Sequence, residues 1–313
     1  MRPLTATLAA LAAPLLVLSL AACSSDPDGV DPDGDASPDA IVAVDSGKNL
    51  DAGAKADAVV DAGGPVWTPP ADAGASSTRH TPKQLGTTTA PNGFWEYLPP
   101  GLDKTIAMPL LVFWHGIGEN GDGKGQLTSV PANGPPNLIK TDKWPNTRPF
   151  IVLSPQHSGG GCPSASEIDA FITWSLANYK IDPKRIYLSG LSCGAIGSWD
   201  YLGTHKSKDV AASVLVCGNP GDPNNAGSTF GRAGCAGLGS LAIWSFHGDK
   251  DPTVPFAPDE ATMTKLLACP APPRRDAKWT PIANGGHAIW GPVYDLSGGY
   301  GDVYAWLLAN PKP

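Results

Sequence analysis

The run from Arg185 to Asp200 constrains the fold more than any other part of this chain. Ile186, Tyr187 and Leu188 open it as a buried strand, and Ala195, Ile196 and Trp199 close it as a helix. Between them Gly190 and Gly194 flank Ser192. A strand that passes straight into a helix turns too sharply for side chains at those flanks, so glycine is required there. The serine is thrust out at the C-terminal end of its strand. The N–H of Cys193, at the start of the helix, is free to face a developing negative charge. This G-x-S-x-G pattern makes Ser192 the candidate nucleophile and Cys193 a candidate oxyanion donor through its backbone. As a rival nucleophile Cys193 fails, because a turn centred on it needs a small residue where Leu191 stands; its side chain is expected to pack behind the serine.

The other apolar runs fall into the rhythm such a turn demands. Strands are predicted at 94–98, at 109–115, at 149–154, at 211–217, at 241–247 and near 279–282. Ser164 and Glu167 form a capping box, with Ile168, Phe171, Ile172, Leu176 and Tyr179 at helical spacing behind it. Strands alternating with helices specify an α/β fold, a mostly parallel sheet with helices on both faces. Ligands then bind at the C-terminal ends of the strands. The run ending in His115 leads directly into Gly116, Ile117 and Gly118, where backbone N–H groups can approach a substrate with no side chain between; Gly116 and Ile117 are the second oxyanion candidates. His115 itself precedes the serine and is expected to buttress this loop.

A serine nucleophile needs a histidine base held by a carboxylate, supplied in this fold by later loops in the order Ser, Asp, His. Of the six histidines only His287 follows the loop from His247 to Pro255, and glycines 285 and 286 precede it. That loop offers two carboxylates, Asp249 and Asp251; Asp251, beside Pro252, is the choice and Asp249 the alternative.

The N-terminal quarter carries none of this chemistry. Arg2 followed by an apolar run to Leu20 and the sequence Leu20-Ala21-Ala22-Cys23 has the parts of an export signal, and its end resembles a bacterial lipobox with Cys23 as the lipidated residue. Residues 1–23 are therefore expected to be a lipoprotein-type leader and residues 24–77 a disordered Asp/Ala/Gly/Pro tether, with the catalytic domain at 78–313. Between Ser24 and Ser76 eleven Asp and two Lys give a charge of −9, so the rest of a chain of net charge −7 is about +2. A nearly neutral domain offers no nucleic-acid surface. Without Cys23 an odd set remains: Cys162, Cys193, Cys217, Cys235 and Cys269. A buried Cys193 leaves Cys217 with Cys235 and Cys162 with Cys269 as a pairing, the connectivity otherwise open. The spacings do not read as a zinc site, and no metal is expected.

Taken together, the elbow at 185–200, the loop at 115–121, the stretch Gly134 to Ile139, the loop at 247–255 and the segment from Gly286 to Trp290 resemble the α/β-hydrolase esterases grouped with polyhydroxybutyrate-depolymerase-like, feruloyl-esterase-like and "predicted peptidase" proteins. The resemblance spans most of residues 90–310 and implies Ser192, Asp251 and His287 as a triad. Two positions depart from it: such elbows often carry Met or Ala where Cys193 stands and Gly where Ala195 stands. The expectation is an exported, monomeric serine carboxylester hydrolase needing no cofactor. It would meet the membrane only through its lipid anchor, at the outer membrane or cell surface of a bacterium. Its ester would be small or polymeric, carbohydrate-linked, aryl or polyester. A serine peptidase of the same fold and a non-catalytic tethered binding lipoprotein are the alternatives.

Overall fold

The computed structural model describes residues 67–313; the leader, Cys23 and most of the expected tether lie outside that range. Eight strands form one sheet: β1 (His80–Lys83), β2 (Phe94–Tyr97), β3 (Met108–Trp114), β4 (Ile151–Pro155), β5 (Ile181–Leu191), β6 (Ala212–Val216), β7 (Ala242–Gly248) and β8 (Ala277–Ile282). Their order is β1-β2-β4-β3-β5-β6-β7-β8. β1 and β2 are antiparallel to their neighbours, while β4, β3, β5, β6, β7 and β8 run parallel. The helices are α1 (Gly134–Lys140), α2 (Ala165–Asn178), α3 (Cys193–His205), α4 (Thr229–Leu238), α5 (Phe256–Leu267), α6 (Trp290–Tyr294) and α7 (Val303–Leu308).

The period of two along β3 divides the core. Leu110, Val112 and Trp114 point into one apolar layer with Phe171 of α2, Trp199 of α3 and Met263 of α5. Leu111 and Phe113 point into the other, with Ile139 of α1, Tyr294 of α6 and Trp306 of α7. All seven residues of β3 are buried, as a strand covered on both faces must be. The capping box is half realised: Ser164 accepts the Glu167 N–H at 3.2 Å, but the Glu167 side chain turns away to His157 and Asn92.

Two expectations need correction. The packed domain does not begin at residue 78: it includes residues 67–77, with Trp67 in the core. Trp67 is buried in the first core layer and its indole N–H donates to Pro100 O at 3.0 Å. Ser76 donates to Ile139 O at 2.9 Å, and the Ser77 N–H reaches the Asp142 carboxylate at 2.8 Å. One tryptophan amid small residues supplies the apolar area that the composition of the stretch conceals.

The cysteines also pair otherwise than expected. Cys162 is bonded to Cys193 and Cys235 to Cys269, and Cys217 is the buried free thiol. Cys193 lies in the first turn of α3, where its side chain meets the loop before α2 rather than the space behind the serine. Cys217, at the end of β6, spends its thiol on a hydrogen bond to His287 O at 3.1 Å.

Trp67 gives the domain start a measurable consequence. A chain beginning at residue 67 should unfold at a higher temperature than one beginning at residue 78, and Trp67→Ala should cost roughly 2–4 kcal/mol by chemical denaturation. Equal midpoints for the two truncations would show that residues 67–77 contribute nothing to the core.

Candidate active site

Ser192 sits between β5 and α3 with φ 50° and ψ −119°, a strained conformation for a residue with a side chain. Its N–H donates to Val216 O of β6 at 2.8 Å, which ties the turn to the next strand. A side chain at Gly194 would run into the backbone carbonyls of Trp114 and His115, and one at Gly190 would meet Gly194 C at 2.5 Å. The glycines let β3, β5 and α3 close around the serine, leaving its side chain 7% exposed.

The loops after β7 and β8 converge on it. Asp249 N–H donates to Ile282 O at 3.1 Å and Lys250 N–H to Gly285 O at 2.9 Å, so the two loops are laced by their backbones. Across that junction His287 Nε2 lies 2.8 Å from Ser192 Oγ, and His287 Nδ1 lies 2.6 Å from Asp251 Oδ2. Asp251 Oδ1 accepts the N–H groups of Thr253 and Val254 at 2.8 and 2.9 Å. Burial alone would raise the Asp251 carboxyl, but the hydrogen bonds from His287, Val254 and Thr253 outweigh it and hold the group below the usual carboxylate range. The Nδ1 position of His287 must then carry a hydrogen, which leaves Nε2 as acceptor for the serine proton. Asp249 makes no hydrogen bond to a histidine, and its Oδ1 is buried without a partner.

The loop after β3 closes the other side. A Cβ built on Gly116 would stand 2.9 Å from Leu191 Cδ1 and 3.6 Å from Ser192 Cβ, so this backbone abuts the serine and a side chain here would have to displace the Leu191 methyl. Ile117 beyond it is 58% exposed. His115, 2% exposed, props the loop from behind: its Nδ1–H donates to Gly116 O at 2.7 Å and its Nε2 accepts the His157 N–H at 3.0 Å. Both contacts together require the neutral ring. Burial, helped by nearby His157, pushes the His115 imidazole down to about 4.

The sequence does not disclose the partners that join the two sides. Asn133 donates to Glu119 Oε1 at 2.5 Å and accepts the Trp290 indole N–H at 2.9 Å, and the Trp290 ring stands edge-on to His287 with centroids 5.3 Å apart. Burial raises Glu119, against which the Asn133 side chain and nearby backbone N–H groups act. Asn133 lies in no apolar pattern and gave no signal. Trp114 and Trp199, near this edge in sequence, are fully buried; Trp290 is half-buried at its mouth. Among the described residues Cys217, Asp251 and His287 are a group of three whose ligand atoms lie within 4.8 Å. Two of them already belong to the chain of hydrogen bonds, and the Cys217 thiol, which burial pushes up to about 12, donates to His287 O.

No family model matches this chain, and no curated protein matches it. Solved structures do. A thermostable esterase is 22% identical with a TM-score of 0.57 over 74% of this chain, which spans 62% of that protein. A serine-to-alanine mutant of the feruloyl esterase module from Clostridium thermocellum, complexed with sinapinate, is 18% identical with a TM-score of 0.56, over 78% of this chain and 90% of that one. A Mycobacterium tuberculosis puromycin-hydrolyzing peptidase is 13% identical with a TM-score of 0.51, over 70% of this chain and 37% of that one. At these identities the likeness is one of fold, and the fold is that of the α/β-hydrolases.

The neutral His115 links this site to stability. Its folded pKa lies below the unfolded value, so its contribution is present above about pH 6.5 and is lost as pH falls toward 4. Wild type should lose up to about 2 kcal/mol from this group between pH 7 and pH 5. In guanidinium denaturation His115→Asn should be less stable at pH 7 but show a smaller drop on going to pH 5; an identical drop would mean that His115 titrates normally.

Proposed function

We propose that this protein is an exported serine carboxylester hydrolase. The observation that carries the reading is the unbroken hydrogen-bond chain from Asp251 Oδ2 through His287 to Ser192 Oγ, at 2.6 and 2.8 Å. Three residues far apart in sequence meet in the order and tautomer that proton abstraction from a serine requires.

The chemistry follows from these positions. His287 Nε2 takes the Ser192 proton as Oγ attacks the ester carbonyl. The imidazolium that forms keeps its Nδ1–H on the Asp251 carboxylate, which stays ionised. The carbonyl oxygen, now negative, lies at the N-terminus of α3 beside the glycine loop, and the N–H groups of Cys193 and of Gly116 or Ile117 are its donors. His287 then protonates the departing alkoxide. Water repeats the sequence on the acyl-enzyme and frees Ser192. The residues thus supply a nucleophile, a base and hydrogen-bond donors.

For the substrate, the support is the exposed Ile117 side chain next to Gly116 and the half-buried Trp290 against His287. Together they give the mouth an apolar rim suited to an aryl or hydrocarbon portion of the ester. The fold it shares with the feruloyl esterase module is in keeping with an aryl ester. Export is supported by the leader and lipobox sequence ending at Cys23 and by two disulfides, which persist in oxidising compartments. The anchor would hold the protein at the bacterial outer membrane or cell surface.

An organophosphonate probe should label Ser192, and peptide mapping of the adduct to another residue would sink the assignment. Asp251→Asn should lower turnover of an aryl ester by about 10⁴ with the protein still folded, whereas Asp249→Asn should stay within about tenfold. A large loss at Asp249 instead would require a different acid.

A further inference from the structure

Directly behind the acid lies a second imidazole that the reaction scheme leaves unused. His247 of β7 and Asp259 of α5 are both completely buried. His247 Nδ1 lies 3.0 Å from Asp259 Oδ2, and Asp259 also accepts the Ser245 hydroxyl at 2.9 Å. On its other side His247 Nε2 lies 3.1 Å from Val254 O and 3.2 Å from Asp251 Oδ2. Asp251 Oδ2 is the same oxygen that meets His287 Nδ1. The carboxylate therefore stands between two imidazoles, one facing the serine and one facing the core.

The protonation of this pair is constrained by its neighbours. Nε2 faces only acceptors, the Val254 carbonyl and the Asp251 carboxylate, so it carries a hydrogen wherever the proton between Nδ1 and Asp259 resides. Placing a histidine and an aspartate in the interior without this pairing would be strongly unfavourable. The loop is cross-braced as a result. The Val254 N–H holds Asp251 Oδ1 at 2.9 Å, the Val254 carbonyl is held by His247, and Asp251 Oδ2 rests against the same ring nitrogen.

We propose that His247, oriented by Asp259, is a positioning residue for Asp251: it fixes the acid loop through Val254 and sets a ring N–H against the carboxylate oxygen that receives His287. Two effects follow. The carboxylate cannot rotate away from Nδ1, and its basicity is lowered, so the proton stays on His287 when the imidazolium forms. His247 transfers no proton in the reaction and touches no substrate. Burial would lower the His247 imidazole, but Asp259, the Val254 carbonyl and Asp251 together raise it, and burial raises the Asp259 carboxyl as well, so one proton is held between the two groups. The groups facing the pair are Asp251 and Asp259 on either side, the Phe256 ring edge-on at 5.7 Å, and His287 and the Cys217 thiol beyond Asp251. Asp259 shares the buried face of α5 with Thr262, Met263 and Leu266.

This inference rests on the serine-hydrolase reading, and the two fail separately. Absence of probe labelling at Ser192 in the wild type would remove that reading, whereas the variants below bear on His247 in an enzyme shown to be active. In the full chain, His247→Leu should lower kcat on p-nitrophenyl acetate by about 10- to 100-fold with KM within about threefold, short of the ~10⁴ expected for losing the acid itself. His247→Gln, which can still donate to Val254 O, should recover kcat to within about tenfold of wild type. The low-field proton resonance of His287 Nδ1–H should be displaced in both, because its acceptor has been disturbed; a merely structural role would leave it in place. Should the leucine variant fail to fold, the glutamine variant carries the test through the same resonance. Wild-type kcat and an unmoved resonance in the folded variants would overturn the proposal.

Discussion

The turn at Ser192 is held by a contact with almost no tolerance: the backbone of α3 at Gly194 lies against the carbonyls that end β3. That approach fixes the distance between the nucleophile and the loop after β3. It also draws β5 into register with both its neighbours, since the Ser192 N–H is committed to Val216 O on β6. Everything else at the active edge is arranged around a position that cannot shift. The strained φ of Ser192, of a kind that costs on the order of 1–3 kcal/mol, is sustained because strand, helix and two flanking loops all determine it together.

Charge is handled differently at the two ends of the hydrogen-bond chain. At the serine the surroundings are the backbone at Gly116 and the first turn of α3, which do not titrate, and the single imidazole of His287. At the acid the surroundings are side chains: His287 in front, His247 behind and Asp259 behind that. Neutral His115 completes the pattern on the β3 side, where a charged ring would forfeit the His157 N–H that Nε2 accepts. Of these histidines His287 alone hydrogen-bonds the serine, while His247 and His115 brace the loops on either side.

Much of this was legible from the sequence, because the informative features were local. The glycines around Ser192, the apolar runs of β3 and β7, and the order of Ser192, Asp251 and His287 each follow from short-range sterics or from strand succession. What escaped depends on long-range packing. Cys193 was expected behind the serine, but the direction in which a first-turn side chain leaves α3 brings it to Cys162, whose position is set by the loop before α2. Cys217 resembles a disulfide candidate in spacing, yet its place under the His287 carbonyl emerges only once β6 and the loop after β8 adjoin. Residues 67–77 belong to the packed region, which the sequence conceals for a related reason: composition averages over them and hides one buried tryptophan among small and polar neighbours.

The burial of Trp67 places the first described residue at a definite rim of the sheet. Its indole is bonded to Pro100, just past the end of β2, and β2 runs antiparallel to β4, with Tyr97 opposite Val152 near the beginning of that strand. Pro100 thus belongs to the rim where the parallel strands begin, while Ser192 stands at the rim where they end. Trp67 and Ser192 occupy opposite rims of the sheet. Packing changes around Trp67 and Pro100 are therefore separated from Ser192 by the length of the parallel strands.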